Sequence, residues 1–209
     1  MRHLLIGLSF LLCSIAHAQH GPRVGLGLAT QSVGGLFQNT SNLLVGPVIG
    51  WHFEGKIHPQ FSIMPEVLYL NKGYSFRNPA QASRSRTTMR YLEVPVLAKI
   101  SLDQQPDGIY LLVGPSVGYF LSGRHKTWQE NQLLYDQRYS FPSTGRRLDF
   151  SALVGMGIEG PRWAFDGRAQ TSLTPFERFQ RLQNIVYSFT VAYRLGGDRD
   201  RKEPEEDDR

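Results

Sequence analysis

The fold is decided by residues 90–101, which read RYLEVPVLAKIS. Apolar side chains occupy every second position from Leu92 to Ile100, and the positions between them include Glu93 and Lys99. Successive side chains of a β-strand point to opposite faces, so this alternation predicts a strand with one apolar face and one mixed face. No stretch of the chain has a convincing helical period, and the sequence therefore predicts an all-β protein.

The same alternation recurs in seven further segments. Their limits are residues 23–30, 43–54, 61–70, 109–122, 148–159, 163–172 and 185–195. Counted in chain order with residues 90–101 as the fourth segment, the odd segments are followed by long connections, at residues 31–42, 71–89, 123–147 and 173–183. The connections after the even segments are short. Eight such segments predict an eight-stranded antiparallel up-and-down β-barrel, with all of the long loops at one end.

The first residues have the three parts of a secretory signal. Arg2 and His3 precede an apolar run at residues 4–15, and the small residues of Ala16-His17-Ala18 form a cleavage site. The run is shorter than the roughly 20 residues of a membrane-spanning helix. We expect residues 1–18 to be removed as a signal peptide, and with them Cys13, the single cysteine of the chain.

The charge of the chain is unevenly placed. The formal net charge is +5, but residues 196–209 carry seven acids and four bases without a large apolar side chain. Such a segment buries too little surface to order itself, so we predict a disordered charged periplasmic tail after a barrel domain at residues 19–195. The basic residues lack the interleaved aromatics or the helix of a nucleic-acid interface, and we expect no nucleic-acid partner.

The two faces of the strands differ in bulk, and this decides which face is outside. The interior of an eight-stranded barrel is only wide enough for side chains to fill it. The apolar face is crowded with Leu, Ile, Val, Phe, Tyr and Trp, whereas the other face mixes Gly, Ser and Ala with a few charges. The bulky face therefore suits lipid, which predicts a transmembrane β-barrel in the outer membrane of a Gram-negative bacterium.

Charged residues recur on the predicted inner face. They are Glu66, Glu93, Lys99, Asp149, Glu159, Asp166, Arg168 and Arg194. Enclosed charges must be paired, since an unpaired buried ion costs several kcal/mol. We predict a lumen charge network centred on Arg168 and Lys99, with Glu66, Glu93 and Asp149 as the acid partners. Two roles remain open for it: a structural network, or a catalytic or proton-handling carboxylate cluster.

The second and third long loops are rich in cations. The predicted basic loop surface consists of Lys72, Arg77, Arg84, Arg86, Arg124 and Lys126. Lipopolysaccharide phosphates are the nearest anions to such a rim, so we expect electrostatic contact with them or with an acidic partner. The alternative is that these charges only keep the loops soluble.

Catalytic and metal-binding patterns are missing from the sequence. It contains no Gly-x-Ser-x-Gly, HExxH or phosphate-loop motif. His52, near the turn end of a strand, and His125, in the third long loop, are interpreted as solvated or interfacial. We expect no metal and no cofactor.

Three strands carry a resemblance to a known family. They read YLEVPVLAKI at residues 91–100, YLLVGPSVGYFLSG at 110–123 and DFSALVGMGIEG at 149–160. The chain resembles the PorT-like outer-membrane β-barrel domains of Bacteroidetes. The resemblance implies an eight-stranded barrel without known catalytic residues, and one class of these proteins supports protein secretion. Because the motifs build strands, no site residue is carried over.

These observations together predict a non-enzymatic, monomeric outer-membrane barrel with a structural or surface-interaction role, linked to secretion through the family resemblance. Its expected partners are outer-membrane lipid, lipopolysaccharide and a protein at the surface or in the periplasm. Two alternatives stay open. One is an outer-membrane enzyme that processes lipids or peptides, and the other is a soluble periplasmic ligand-binding barrel.

Overall fold

The computed structural model describes residues 19–33, 42–78, 82–102, 108–140, 147–174 and 182–195. The predicted signal peptide, residues 1–18, and the predicted charged tail, residues 196–209, lie outside these ranges. Among the described residues, no helix is both long enough and apolar enough to cross a membrane.

Nine antiparallel strands make up the described part of the chain. They are β1 (Gln19–Val33), β2 (Leu44–His58), β3 (Phe61–Asn78), β4 (Ser83–Ser101), β5 (Gly108–Gln129), β6 (Gln132–Tyr139), β7 (Leu148–Glu159), β8 (Trp163–Ser172) and β9 (Leu182–Tyr193). Eight of them close a ring in the order β1-β2-β3-β4-β5-β7-β8-β9, with β9 paired to β1 and β4 paired to β5. The predicted eight-stranded up-and-down barrel is confirmed.

The ninth strand and the long strands beside it correct the predicted loops. Residues 71–89 were predicted as a loop, but β3 continues through them to Asn78, and β4 begins among them at Ser83 and pairs with β3. Residues 123–147 were also predicted as a loop, but they contain the end of β5 and all of β6. These segments lack an apolar-polar alternation because, beyond the barrel wall, neither face of a strand has to be apolar.

Strand length divides the barrel into two parts. β3, β4 and β5 have 18, 19 and 22 residues, whereas β7, β8 and β9 have 12, 10 and 12. A membrane-spanning strand needs about 9–11 residues. The surplus rises from one end of the ring as a four-stranded extension sheet, formed by residues 73–78, 83–90, 122–129 and 132–139. The opposite end, where the short turns lie, is called the turn end below.

The side chains alternate between the exterior and the lumen as the sequence predicts. On β4, Leu92, Val94 and Val96 are exposed. Glu93, between the first two, and Lys99, further along the strand, are buried. Aromatic residues gather at the turn end, where the ring of Trp163 meets that of Tyr193 edge-on at 4.7 Å. The apolar exterior and the charged interior are thus separated by the pleat of each strand.

We expect a charged residue on the barrel wall to be costly. Val113, on β5, is 47% exposed on this wall, and Val113→Arg should lower the free energy of unfolding by about 2–4 kcal/mol, because the guanidinium enters hydrocarbon. Phe76 is 48% exposed in the extension sheet, and the control Phe76→Arg should stay within about 0.5 kcal/mol. Urea titration in lipid vesicles measures both. Equal effects would show that Val113 does not face lipid.

Candidate functional site

The lumen holds most of the ionisable groups that the structure buries. Five cations and six carboxylates of the described residues are buried there. They are Arg23, Lys72, Lys99, Arg168 and Arg194, and Glu54, Glu66, Glu93, Asp149, Glu159 and Asp166. Their ion pairs form three layers, which follow one another from the turn end to the extension sheet.

The first layer lies at the turn end and is built around Lys99. Its ammonium nitrogen lies 2.7 Å from Glu54 Oε1 and 2.5 Å from Glu159 Oε2. Arg194 pairs with the same Glu159 and donates from Nη1 to the carbonyl oxygen of Gly160 at 3.1 Å. Two cations and two carboxylates balance in this layer.

The predicted acid partners of Lys99 were wrong. The register of β3 and β4 sets Lys99 opposite Ser62, and Glu66 lies four residues further up β3. Glu93 and Asp149 lie higher still in the lumen, in the third layer. Lys99 therefore reaches Glu54 and Glu159, and Glu54 was missed although it lies on the inner phase of β2.

The middle layer contains the predicted centre of the network, Arg168. Its guanidinium binds Glu66 through two bonds, from Nη1 to Oε2 at 2.6 Å and from Nη2 to Oε1 at 2.9 Å. Its Nε donates to Asp166 Oδ1 at 2.6 Å. Tyr110 donates its hydroxyl to Asp166 Oδ2 at 2.9 Å, and Thr190 donates to Oδ1 at 2.8 Å. A bidentate pair of this kind fixes the orientation of both side chains.

Arg23 completes the middle layer and was missed by the sequence reasoning. It pairs with Asp166, and its Nε lies 3.1 Å from Glu66 Oε1. The alternation of β1 could have identified it, because Arg23 is two residues before Gly25 and residues two apart on a strand point to the same face. The layer is balanced, with two guanidinium groups and two carboxylates.

The third layer corrects the prediction for Lys72, which was assigned to the basic loop surface. Lys72 is 0% exposed and points into the lumen, where it pairs with Glu93 and with Asp149 Oδ2 at 2.7 Å. The error came from ending the strand at Leu70. Because β3 continues, Lys72 keeps the inward phase of Leu68 and Leu70.

Neutral groups support the two carboxylates of the third layer. Gln170 donates to Glu93 Oε2 at 2.7 Å, whereas Ser172 and Thr174 each donate to an oxygen of Asp149 at 2.8 Å. Lys72 also lies 5.0 Å from the centre of the Tyr91 ring. With one cation and two carboxylates, this layer carries one formal negative charge when all three groups are ionised.

An aromatic cluster covers the third layer on the side of the extension sheet. Phe120 meets Tyr91 edge-on at 5.6 Å and stacks on Tyr139 at 5.9 Å. The Tyr139 ring lies so close to Gly123 that any side chain there would overlap it. Met89 and Leu70 pack into the same cluster, so side chains fill the lumen below the extension sheet.

His52 was interpreted from the sequence as solvated or interfacial, but it lies inside the barrel. Its position on the inward phase of β2 leaves it 2% exposed. It lines a cavity of about 10 Å³ with residues of the first layer, Lys99 and Arg194 among them. A cavity of this size is at about the lower limit for holding one water molecule.

The other cationic residues predicted for the loops lie on strands of the extension sheet. Arg77, Arg84, Arg86, Arg124 and Lys126 share one face with Arg90 and Arg138, in phase with the lipid-facing wall. The register sets like charges directly opposite one another in three pairs: Arg77 with Arg84, Arg86 with Lys126, and Arg124 with Arg138. We call this surface the cationic face.

One acid on the described strands neutralises part of the cationic face. Asp136 accepts two bonds from Arg124, at 2.7 and 2.5 Å, and lies 3.8 Å from Lys126. The hydrogen bonds from Arg124 hold the pKa of Asp136 below its ordinary value, so this carboxylate is ionised at neutral pH. Trp128 lies under Arg84 and Lys126, each 5.8 Å from its ring centre.

His125 was placed in a loop by the sequence, but it lies on β5, half-buried on the opposite face of the extension sheet. Its Nδ1 lies 2.8 Å from Thr87 Oγ1, and its ring meets Tyr135 edge-on at 6.0 Å. Across the described ranges, no three His, Cys, Asp or Glu residues are grouped to hold a metal ion.

A closed ring of strands with an apolar exterior and an ion-paired lumen defines a transmembrane β-barrel protein. Residues 18–178 match the sequence profile of the outer membrane protein beta-barrel domain family. The chain belongs to this family, and the protein is located in the outer membrane. The alternative of a soluble periplasmic barrel is thereby excluded.

Solved structures with a similar fold are distant in sequence. Ail of Yersinia pestis, in complex with the heparin analogue sucrose octasulfate, is 10% identical, with 86% of this chain and 99% of that chain covered and a TM-score of 0.51. Neisserial surface protein A is 10% identical over 84% of this chain and 97% of its own, with a TM-score of 0.47. OprG of Pseudomonas aeruginosa is 9% identical over 86% and 97%, with a TM-score of 0.42. No curated protein sequence matches this chain.

Removing the cation of the third layer should destabilise the barrel. Lys72→Met leaves Glu93 and Asp149 without their ammonium partner, and we expect a loss of about 3–5 kcal/mol in the free energy of unfolding. The control Arg77→Met removes an exposed cation from the same strand and should change it by less than about 0.5 kcal/mol. Urea titration in vesicles measures both. A small effect of Lys72→Met would contradict the burial of its ammonium group.

A lumen filled by side chains should carry no ion current. In planar lipid bilayers we expect no discrete channel openings from the purified barrel, because an eight-stranded ring leaves no aqueous channel. The fully folded state is verified beforehand by its heat-modifiable migration on a gel. Stable conductance steps from folded protein would contradict a closed lumen.

Proposed function

We propose that the protein is a non-enzymatic outer-membrane barrel whose cationic face binds the phosphate groups of lipopolysaccharide. The observation that carries this proposal is the register of the extension sheet, which holds like charges opposite one another in three cross-strand pairs. Like charges directly opposite are destabilising in a sheet, and an anion between them removes this repulsion. A phosphate accepts several charge-assisted hydrogen bonds from such a pair.

The height of the cationic face suits a lipid headgroup. Arg90 lies two residues before the exposed Leu92 on the same outward phase of β4, so the first cation stands directly above the apolar wall. The long loops of outer-membrane barrels face the cell exterior, and the extension sheet lies at that end. Phosphates at the outer surface of the membrane are therefore the anions nearest to Arg90 and Arg124.

The complex of Ail with sucrose octasulfate supports the chemistry of the proposal. In that complex, a barrel of similar fold is bound to a polysulfated sugar. A phosphorylated sugar headgroup likewise presents several anionic oxygens on a carbohydrate frame. This support concerns the kind of ligand, and the proposed binding residues rest on the cationic face of this chain alone.

The lumen favours a structural role over catalysis. Each of its six carboxylates is engaged by at least one cation, as with Glu66 between Arg23 and Arg168. Groups committed in this way stabilise the barrel and are not available as an acid or a base. A link to protein secretion, implied by the PorT-like resemblance, and a monomeric state stay predictions.

Trp128 offers a direct test, since it lies among the cations of the cationic face. In a Trp51→Phe, Trp163→Phe background, its fluorescence reports binding of the soluble lipid A disaccharide bisphosphate to the barrel in nanodiscs. Replacing Arg84, Arg86 and Lys126 together by Gln should weaken binding at least about tenfold, since the loss of even one charged hydrogen bond costs about 1.5 kcal/mol. Added salt should also weaken it.

The control for this titration is Arg162→Gln, because Arg162 is an exposed cation at the turn end. It should leave the affinity unchanged, and the disaccharide without phosphates should not bind. Binding that resists salt, or that survives loss of the three cations, would reject the proposal.

A further inference from the structure

Within the part of the chain that the structure describes, β6 is an edge strand. β6 is the last strand in the sheet order, and it pairs with β5 alone through residues 123–129. Every side chain from Gln132 to Arg138 is exposed. Within the described ranges, no other strand pairs with β6, and the outward N–H and C=O groups of residues 135–138 have no main-chain partner there.

The unequal strand lengths explain why this edge is free. Below β6, the lower half of β5 pairs with β7, which begins at Leu148 opposite Tyr119. The next strand, β8, ends at Ser172 opposite Ser151. The described strands on this side end there, whereas β5 and β6 continue beyond them. Among the described residues, the extension sheet therefore ends at β6 with no strand paired beyond it.

β6 has some of the features that protect an edge strand and lacks others. Natural edges are blunted by short strands, bulges and charged side chains, and also by proline, by lysine or by a covering segment. The sequence of β6, QLLYDQRY, contains neither proline nor lysine, and Leu133, Leu134 and Tyr135 are exposed. One register shift falls between Leu133 and Tyr135, and the strand is regular from Tyr135 to Tyr139. Residues 135–138 of this regular part are a template for a further strand.

The charges beside the edge favour an acidic side chain on that further strand. Arg138 stands directly opposite Arg124, but Asp136 binds the guanidinium of Arg124. Among the described residues, no carboxylate lies within ion-pair distance of Arg138. A strand added beyond β6 would place one side chain directly opposite Arg138 on the cationic face, where a carboxylate is favoured.

We propose that the free edge of β6 is a docking site for an acidic extended segment of a partner protein. The segment joins the extension sheet as a further strand through main-chain hydrogen bonds, and one of its carboxylates pairs with Arg138. Arg138 also belongs to the cationic face, but Arg84, Arg86 and Lys126, on which the phosphate titration depends, lie on β4 and β5 and not at this edge.

Membrane geometry favours a partner protein over a second copy of this chain in the same membrane. Two copies side by side present β6 strands that rise from one surface in the same sense. Each is tilted by about 35–45°, so two facing strands cross and cannot align along their length. A segment from another protein has no such restriction.

A labelled peptide tests the proposal in lipopolysaccharide-free nanodiscs that contain the full barrel. The probe is an eight-residue peptide in which Glu alternates with Val, and a second peptide carries Lys instead of Glu. We expect saturable binding of the Glu peptide and at least about tenfold weaker binding of the Lys peptide. Two further Glu peptides are N-methylated on alternate amides, one in each phase.

The N-methyl peptides separate strand addition from simple charge attraction. Methylation in the phase that faces β6 should abolish binding, whereas methylation in the other phase should leave it. Equal binding of both would overturn the proposal, since charge attraction does not depend on amide phase. Failure of the unmethylated Glu peptide and of both methylated peptides to bind would overturn it as well.

Variants of the protein then locate the site. Arg138→Glu should weaken binding of the Glu peptide about tenfold and strengthen that of the Lys peptide. Arg90→Glu makes the same change of charge on β4 and is the matched control, with an expected effect below about threefold. Heat-modifiable migration confirms that both variants fold. Equal weakening by the two variants, or self-association through β6 that excludes the peptide, would overturn the proposal.

Discussion

The structure depends on the narrow interior of an eight-stranded ring. Such a ring has room for side chains and little else, and here the inward positions carry five cations and six carboxylates. Isolated ions in that space would cost several kcal/mol each. Pairing in layers avoids this cost, and bonds such as those from Arg168 to Glu66 connect strands that are far apart in the sequence.

The same constraint separates an ion-paired lumen from an exposed cationic sheet. In the described part of the lumen, every buried carboxylate is paired with at least one cation. The surplus length of β3, β4 and β5 then carries a second population of charges, in which cations stand opposite cations. Arg86 and Lys126 face each other across two strands, and such a surface is open to external anions in a way that the lumen is not.

Sequence reasoning succeeded where local phase was sufficient. Glu66, Glu93, Lys99, Asp149 and Arg168 all lie on the inward phase that the alternation assigns to them. It failed where strand ends or register mattered. Lys72 was taken for a surface cation because its strand was ended too early, and Lys99 was given partners from another layer. The strands of the extension sheet were taken for loops, since outside a membrane a strand needs no apolar face.

The sequence by itself determined the fold class, the number of strands in the ring and the face that meets lipid. These follow from a period of two and from side-chain volume, which are local properties. Only the tertiary structure decided which charges pair, because pairing depends on the register and closure of the ring. It also decided that β6 is the edge strand of the described sheet, since this results from the unequal heights at which β5, β7 and β8 end.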